Sequence, residues 1–499
     1  MMIRRHFLLC GAASVALGTR GHAQPMPGMT GPHNAPATQP PGPPQGGLVL
    51  PEGEPLRSLP RLRNTSGQPG AFSATLVAAP TQLQLAQGKV TEILAYNGVS
   101  PGPLIEVTEG DQVTITFKNE VPGQESTIHW HGLPVPADQD GNPMNSVASG
   151  SDRTYSFTLP ADSAGSFWYH PHPHKYTAEQ VYRGLAGAFI VKPKVDPLPS
   201  GLGDTALFIS DLRLTPDGTI PPNTDDDWAN GREGEHVLVN GQKRPVLTLA
   251  PGSSRRFRLF NACNARYLRL AFEGHRMTLV ATDGGLIAEP MAGPEEILLT
   301  PGERAEVVVD FGPAAGRVVL NALSYDRGRM SGQNETLAIP VLTINLEGQP
   351  MAPIVLPARL RTISPLGAPT ARKRIEFGEQ MTNGPSGMAF KGLINGKPFE
   401  LGRIDLVSRL DEVELWEVAN PTDMDHPLHL HGTQFQVVER EQGGRTISVP
   451  GPTWKDTVNV VRGGIVRFLV RQDMPGLRLY HCHILEHEER GMMGTLNVR

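Results

Sequence analysis

The sequence predicts an all-β fold of three consecutive Greek-key β-sandwiches, and three observations carry that reading. Short alternating runs such as Val113-Thr-Ile-Thr-Phe117 and Glu306-Val-Val-Val-Asp310 are punctuated by Gly, Pro and Asn-Gly, while helical periodicity is almost absent. Two Pro-rich breaks, Lys192 to Gly203 and Gln349 to Thr370, cut the body into pieces of similar length. Finally, the pieces repeat one another. Each carries an Asn-Gly pair (Asn97-Gly98, Asn240-Gly241, Asn395-Gly396), then strands, then a further Asn (Asn119, Asn261, Asn420). Asn-Gly suits a tight hairpin because both residues tolerate positive φ.

In chain order, residues 1–23 have a charged start, a short apolar middle and a small-residue exit near Ala23, so they are expected to be an export signal. Arg4-Arg5-His6-Phe7-Leu8 resembles a twin-arginine signal, which predicts a periplasmic or secreted protein. Residues 24–55 begin as a run of Pro, Gly, Gln, Ala and Met and are expected to be a flexible tether. The sandwiches are then predicted over 56–195, 200–348 and 365–499. A formal charge of -5 over 499 residues creates no field to hold a polyanion, which excludes nucleic acid as a partner. Three cysteines are too few for a disulfide framework, and no apolar run reaches the roughly 18 residues of a membrane span.

The histidines are not scattered. His129-Trp-His131-Gly132 follows Asn119, and His429-Leu-His431-Gly432 follows Asn420. Later in the same two pieces stand His170-Pro-His172 and His481-Cys-His483. Residues i and i+2 of a strand share a face, so each pair presents two imidazoles to one place. A lone pair is weak evidence for metal. Four pairs placed symmetrically in two copies of one domain predict a small metal cluster between pieces one and three, with piece two as a spacer. Alternation sends Cys482 the other way, into its own sandwich. There His426, His487 and Met492 complete a His2Cys set with a weak axial thioether, the ligands of a blue-copper centre. Ser126 and Pro171 occupy the matching positions of piece one.

These motifs resemble the four copper signatures of the multicopper oxidases, and the resemblance spans residues 50–499, nearest to the bacterial laccase and cuprous-oxidase branch. It implies cupredoxin-like sandwiches and four copper ions. His426, Cys482, His487 and Met492 would bind the type 1 copper, and His129 and His429 the type 2 copper. His131, His170 and His483 would hold one type 3 ion, and His172, His431 and His481 the other. A small-molecule donor, phenolic or similar, would give electrons at an exposed edge of His426 or His487. Cys482 would pass them to its neighbours, and dioxygen would be reduced to water with protons from Glu488 and Asp140. Met492 implies a low-to-moderate potential.

Cu(I) stays open as an alternative donor, in a role in copper tolerance. Only Met381, Met388 and scattered residues stand where some relatives carry a Met- and His-rich insertion, whereas Asp423-Met424-Asp425 just before His426 could hold a substrate ion or simply cap a loop. Met26, Met29 and His33 read as composition, His174 as a loop residue, and Cys263 as a small buried hydrophobe.

Overall fold

A computed structural model of the chain describes residues 48–330, 337–384 and 387–499. The expectations placed on residues 1–47, including the export signal and Met26, Met29 and His33, lie outside the described residues, as does the side chain of Met388. The end of the expected tether is different from its start. Leu50 is buried, and Glu52 and Pro55 form parallel bridges to Lys243 and Val246. Leu48 and Leu50 supply apolar surface that the preceding Pro/Gly run lacks, and they pack with Leu212, Leu214 and Leu238.

The strands form six sheets in three pairs, of four and four, seven and five, and six and five strands. The same crossings recur in each pair. In one sheet Ala71–Ala86 runs parallel to Gln112–Asn119, Gly203–Leu212 to Ser254–Asn261, and Ala371–Gly384 to Val413–Asn420. In the facing sheet the parallel partners are Gly102–Thr108 with Gly187–Lys192, Val246–Leu249 with Ile339–Leu346, and Leu406–Ser408 with Met493–Val498. Between the sheets lie three separate apolar cores, built from alternating inward residues such as Phe72, Ala74, Leu76 and Ala78.

The repeated asparagines explain why one sandwich could be used three times. Asn97, Asn240 and Asn395 all have φ of 52°, and each side chain accepts a backbone N–H from the first strand of its own sandwich, at Val77, Phe208 and Glu376. Asn119, Asn261 and Asn420 each donate to two backbone carbonyls and accept the N–H two residues on. In the outer sandwiches that second Asn closes the loop leading to the histidine strand. Helix is limited, among the described residues, to the short segments Thr177–Tyr182, Asp225–Asn230 and Leu485–Glu489 and one turn at Pro143–Asn145.

Candidate metal centres between the outer sandwiches

The four His-x-His pairs lie on or just beyond the strands His129–His131, Gly165–His170, His426–Leu430 and Gly476–Cys482. Cross-strand register joins the pairs within each sandwich, His129 opposite His170 and His429 opposite His481. All eight imidazoles are at most 1% exposed. Burial, and then crowding by one another, holds His131, His170, His172, His429, His431 and His483 well below the ordinary imidazole range, and His481 falls to about 3. These groups are neutral and carry lone pairs.

Where the lone pairs point is fixed by the opposite ring nitrogens. His129, His170, His429 and His481 donate through Nδ1 to the carbonyls of Asp140, Pro171, Asp456 and Cys482, each at 2.9 Å. His431 donates through Nδ1 to the Asp140 carboxylate, also at 2.9 Å. In the neutral rings among these, Nε2 is therefore an unprotonated acceptor aimed inward. His129 Nε2 faces His429 Nε2 at 3.3 Å, and His481 Nε2 faces His431 Nε2 at 3.0 Å and His172 Nε2 at 3.3 Å. Facing lone pairs repel unless a cation lies between them. Two nitrogens each about 2 Å from one ion are about 3 Å apart, so the spacing fits shared metal ions. The buried, unpartnered Nε2 of His170 fits the same reading.

His131 is turned the other way. Its Nε2 donates to Asp456 Oδ1 at 3.1 Å, and its Nδ1 faces His483 Nε2 at 3.3 Å. Asp456 is thus the counterpart of Asp140. Each aspartate holds one histidine of its own sandwich by its carbonyl and one histidine of the other sandwich by its carboxylate. Their own surroundings differ. Asp140 Oδ1 has no hydrogen bond, whereas Asp456 receives both arms of Arg304 at 2.7 Å and the Thr457 hydroxyl at 2.9 Å. Neither Asp456 nor Arg304 was identified from the sequence. Asp456 stands far along the chain from His131, and Arg304 lies in the middle sandwich, where there is no histidine pair to draw attention to it.

Cys482 points away from the cluster as alternation requires. His426 Nδ1 lies 3.5 Å from Cys482 Sγ and 3.4 Å from His487 Nδ1, and all three residues are fully buried. Met492 is buried in the same core, its backbone bonded to both Cys482 and His487. Burial pushes the Cys482 thiol up, so a thiolate here needs a cation beside it. The donor set is the soft one of a blue-copper site.

Glu488 spans the two outer sandwiches at the cluster, with Oε1 at 3.4 Å from His172 Nε2 and Oε2 at 3.2 Å from His481 Nδ1. Burial and then Glu489 push its carboxyl well above the usual carboxylate range. Asp140 is fully buried.

Two expectations are corrected. The outer edges of His426 and His487 are covered, not exposed: His426 Nε2 meets Thr422 Oγ1 at 3.0 Å and Glu379 Oε1 at 3.1 Å, and His487 Nε2 donates to the Ala229 carbonyl at 3.1 Å. The cover comes from the strand Ala371–Gly384 and the helix Asp225–Asn230, remote in sequence from either ligand. Nor is Asp423-Met424-Asp425 a ready ion site. Asp425 is buried with its carboxylate taken by Tyr325 and the Arg462 N–H, and Arg327 donates to Met424 Sδ at 3.1 Å. Asp423 alone of the three is exposed. His174 stays apart from the cluster against Phe399, and Cys263 is buried in the middle core.

Sequence profiles described as multicopper oxidase match residues 78–196, 210–342 and 371–499. The chain is 32% identical to the multicopper oxidase mco of Staphylococcus aureus, over 86% of this chain and 89% of that one. It is 27% identical to the laccase of Bacillus subtilis, over 82% and 90%. A multicopper oxidase of Campylobacter jejuni, described as a metallo-oxidase, superposes with a TM-score of 0.85 at 43% identity, covering 91% of this chain and 98% of that one. With paired lone pairs that need a cation and a buried thiol between two histidines, the chain belongs to the multicopper oxidase family and is a copper-dependent oxidoreductase with dioxygen as its electron acceptor.

Proposed function

We propose that the eight inward imidazoles hold three copper ions and the His2CysMet set a fourth. The carrying observation is that one tripeptide, His481-Cys482-His483, sends two side chains to the cluster and one to the thiol site. His426, Cys482, His487 and Met492 are the type 1 ligands, and His129 with His429 the type 2 ligands. His131, His170 and His483 serve one type 3 ion, and His172, His431 and His481 the other. When bound, these coppers take single electrons from a small reductant and deliver four to dioxygen, giving two waters.

The chain's own residues do the rest. Cys482 is covalently linked to a ligand on either side, so the path between the sites is a few bonds long. Glu488 lies against His172 and His481, and Asp140, with one oxygen unbonded, lies against His129 and His431. Both are placed to supply protons to oxygen as it is reduced. Burial of every ligand excludes bulk water from the cluster.

The donor reading is laccase-like, with phenols or similar reductants. A second reading, oxidation of Cu(I), is favoured by the covered edges of His426 and His487, because a bulky ring cannot touch either imidazole. Oxygen uptake by the copper-loaded protein separates them. Uptake with a methoxyphenol in chelated buffer supports the laccase reading, and uptake restricted to Cu(I), or to phenol with added copper, overturns it in favour of the second.

Export to the periplasm or beyond is proposed from the leader alone. Among the described residues, no helix is long and apolar enough to cross a membrane.

A further inference from the structure

The middle sandwich supplies no histidine to the cluster, yet Arg304 reaches it. This guanidinium, 1% exposed, has a partner for every N–H. Nε donates to the Ser166 carbonyl of the first sandwich at 3.0 Å. Nη1 donates to the Gly302 carbonyl at 3.1 Å and Asp456 Oδ1 at 2.7 Å, and Nη2 to the Asp283 carbonyl at 3.0 Å and Asp456 Oδ2 at 2.7 Å. One side chain is therefore bonded to all three sandwiches. The fork neutralises Asp456 and fixes the plane of its carboxylate.

Glycines mark how closely the parts approach. A Cβ on Gly132, at φ +84°, would lie 2.3 Å from Asp456 Oδ2 and 2.5 Å from Arg304 Nη2. One on Gly302, at φ +85°, would lie 2.9 Å from His483 Nε2 and 3.0 Å from His131 Cε1. The glycine that ends the first His-x-His-Gly motif is thus required by the Arg304–Asp456 pair, and the middle sandwich touches the cluster through Gly302.

On the copper assignment above, we propose that Arg304 is a positioning residue: through Asp456 it holds His131 with Nε2 outward and Nδ1 toward the metal, opposite to the five histidines whose Nδ1 is tied outward. Asp456 carries this load because both its oxygens are committed. Asp140, its counterpart without an arginine, keeps Oδ1 uncommitted beside His129. The division of labour between two similarly placed aspartates then comes from the middle sandwich, which is more than a spacer.

The test compares copper-loaded wild type, Arg304→Lys and Asp456→Asn by copper content after dialysis against a chelator, type 2 electron paramagnetic resonance, blue absorption and thermal unfolding. Lysine keeps the charge and loses the fork; asparagine places an N–H where Arg304 or His131 already donates. The expected result is unchanged blue absorption in both variants, with cluster copper bound about 10–100-fold more weakly and an altered type 2 signal. Wild-type copper content and type 2 signal in both variants would overturn the proposal, as would parallel loss of the blue site and the cluster, which marks Arg304 as general packing. If Arg304→Lys does not fold, Asp456→Asn decides by the same readouts. A wild-type chain with an intact blue band and no copper among the imidazoles would refute the cluster assignment itself, and the proposal with it.

Discussion

Ser126 in the first sandwich and His426 in the third stand three residues before equivalent histidine pairs, and their surroundings diverge. Ser126 donates to Gln180 Oε1 at 2.8 Å, and Gln180 Nε2 returns to Gln124 and the Glu125 carbonyl, which closes a satisfied polar network. His426 instead meets Cys482 Sγ at 3.5 Å and His487 Nδ1 at 3.4 Å, with no such closed network around them. Both follow the same Asn-closed loop. The comparison teaches that the fold supplies the place, and that four side chains turn it into a site able to hold a soft cation. The repeated scaffold tolerates either filling because one is satisfied by hydrogen bonds and, on the proposed assignment, the other would be satisfied by a metal.

The sharpest way to break the comparison is to remove the thiol. Cys482→Ser makes the third sandwich resemble the first, and it is expected to abolish blue absorption and steady oxygen uptake while cluster copper stays bound. A surviving blue band would contradict the ligand assignment. Next in size is Glu488→Gln, which keeps shape and removes the ionisable carboxyl beside His172 and His481. Oxygen turnover should fall by about 10²-fold or more, with copper content and blue absorption retained, as measured by uptake at saturating donor.

A smaller effect is expected of Met492→Leu. Loss of the weak axial thioether should raise the type 1 potential while the colour remains, which a redox titration of the blue band measures; an unchanged potential would remove Met492 from the site. The smallest effect concerns the shared loop. Asn119→Ala and Asn420→Ala each remove one donor from two backbone carbonyls, at a cost of about 1–3 kcal/mol. Thermal unfolding should register both. Asn420→Ala alone should also shift the blue band, since Asn420 closes the loop carrying Met424 and His426.

Much of this arrangement was legible in the residues. Strand alternation is a local rule, so His481-Cys482-His483 announced two imidazoles on one side and a thiol on the other, and the geometry agrees. The Asn-Gly pairs and the asparagines beyond them were equally local, since each bonds within its own sandwich, with Asn240 alone also reaching the Arg57 carbonyl. What could not be read depends on chain segments meeting from afar. Asp456 acquires its role only when His131 is brought from the other outer sandwich and Arg304 from the middle one. The covering of His426 and His487 by Glu379 and Ala229 is of the same kind, which is why exposed edges were expected. The tether ends early because Leu48 and Leu50 find a surface that the folded first and second sandwiches present together.

The central claim is that two buried centres, one between the outer sandwiches and one inside the third, hold four ions. Anomalous diffraction at the copper edge from crystals of the copper-loaded protein tests it most directly. The account predicts one peak among His426, Cys482 and His487 and three peaks within the ring of eight imidazoles. A cluster without peaks, or a lone peak between His129 and His429, would contradict it.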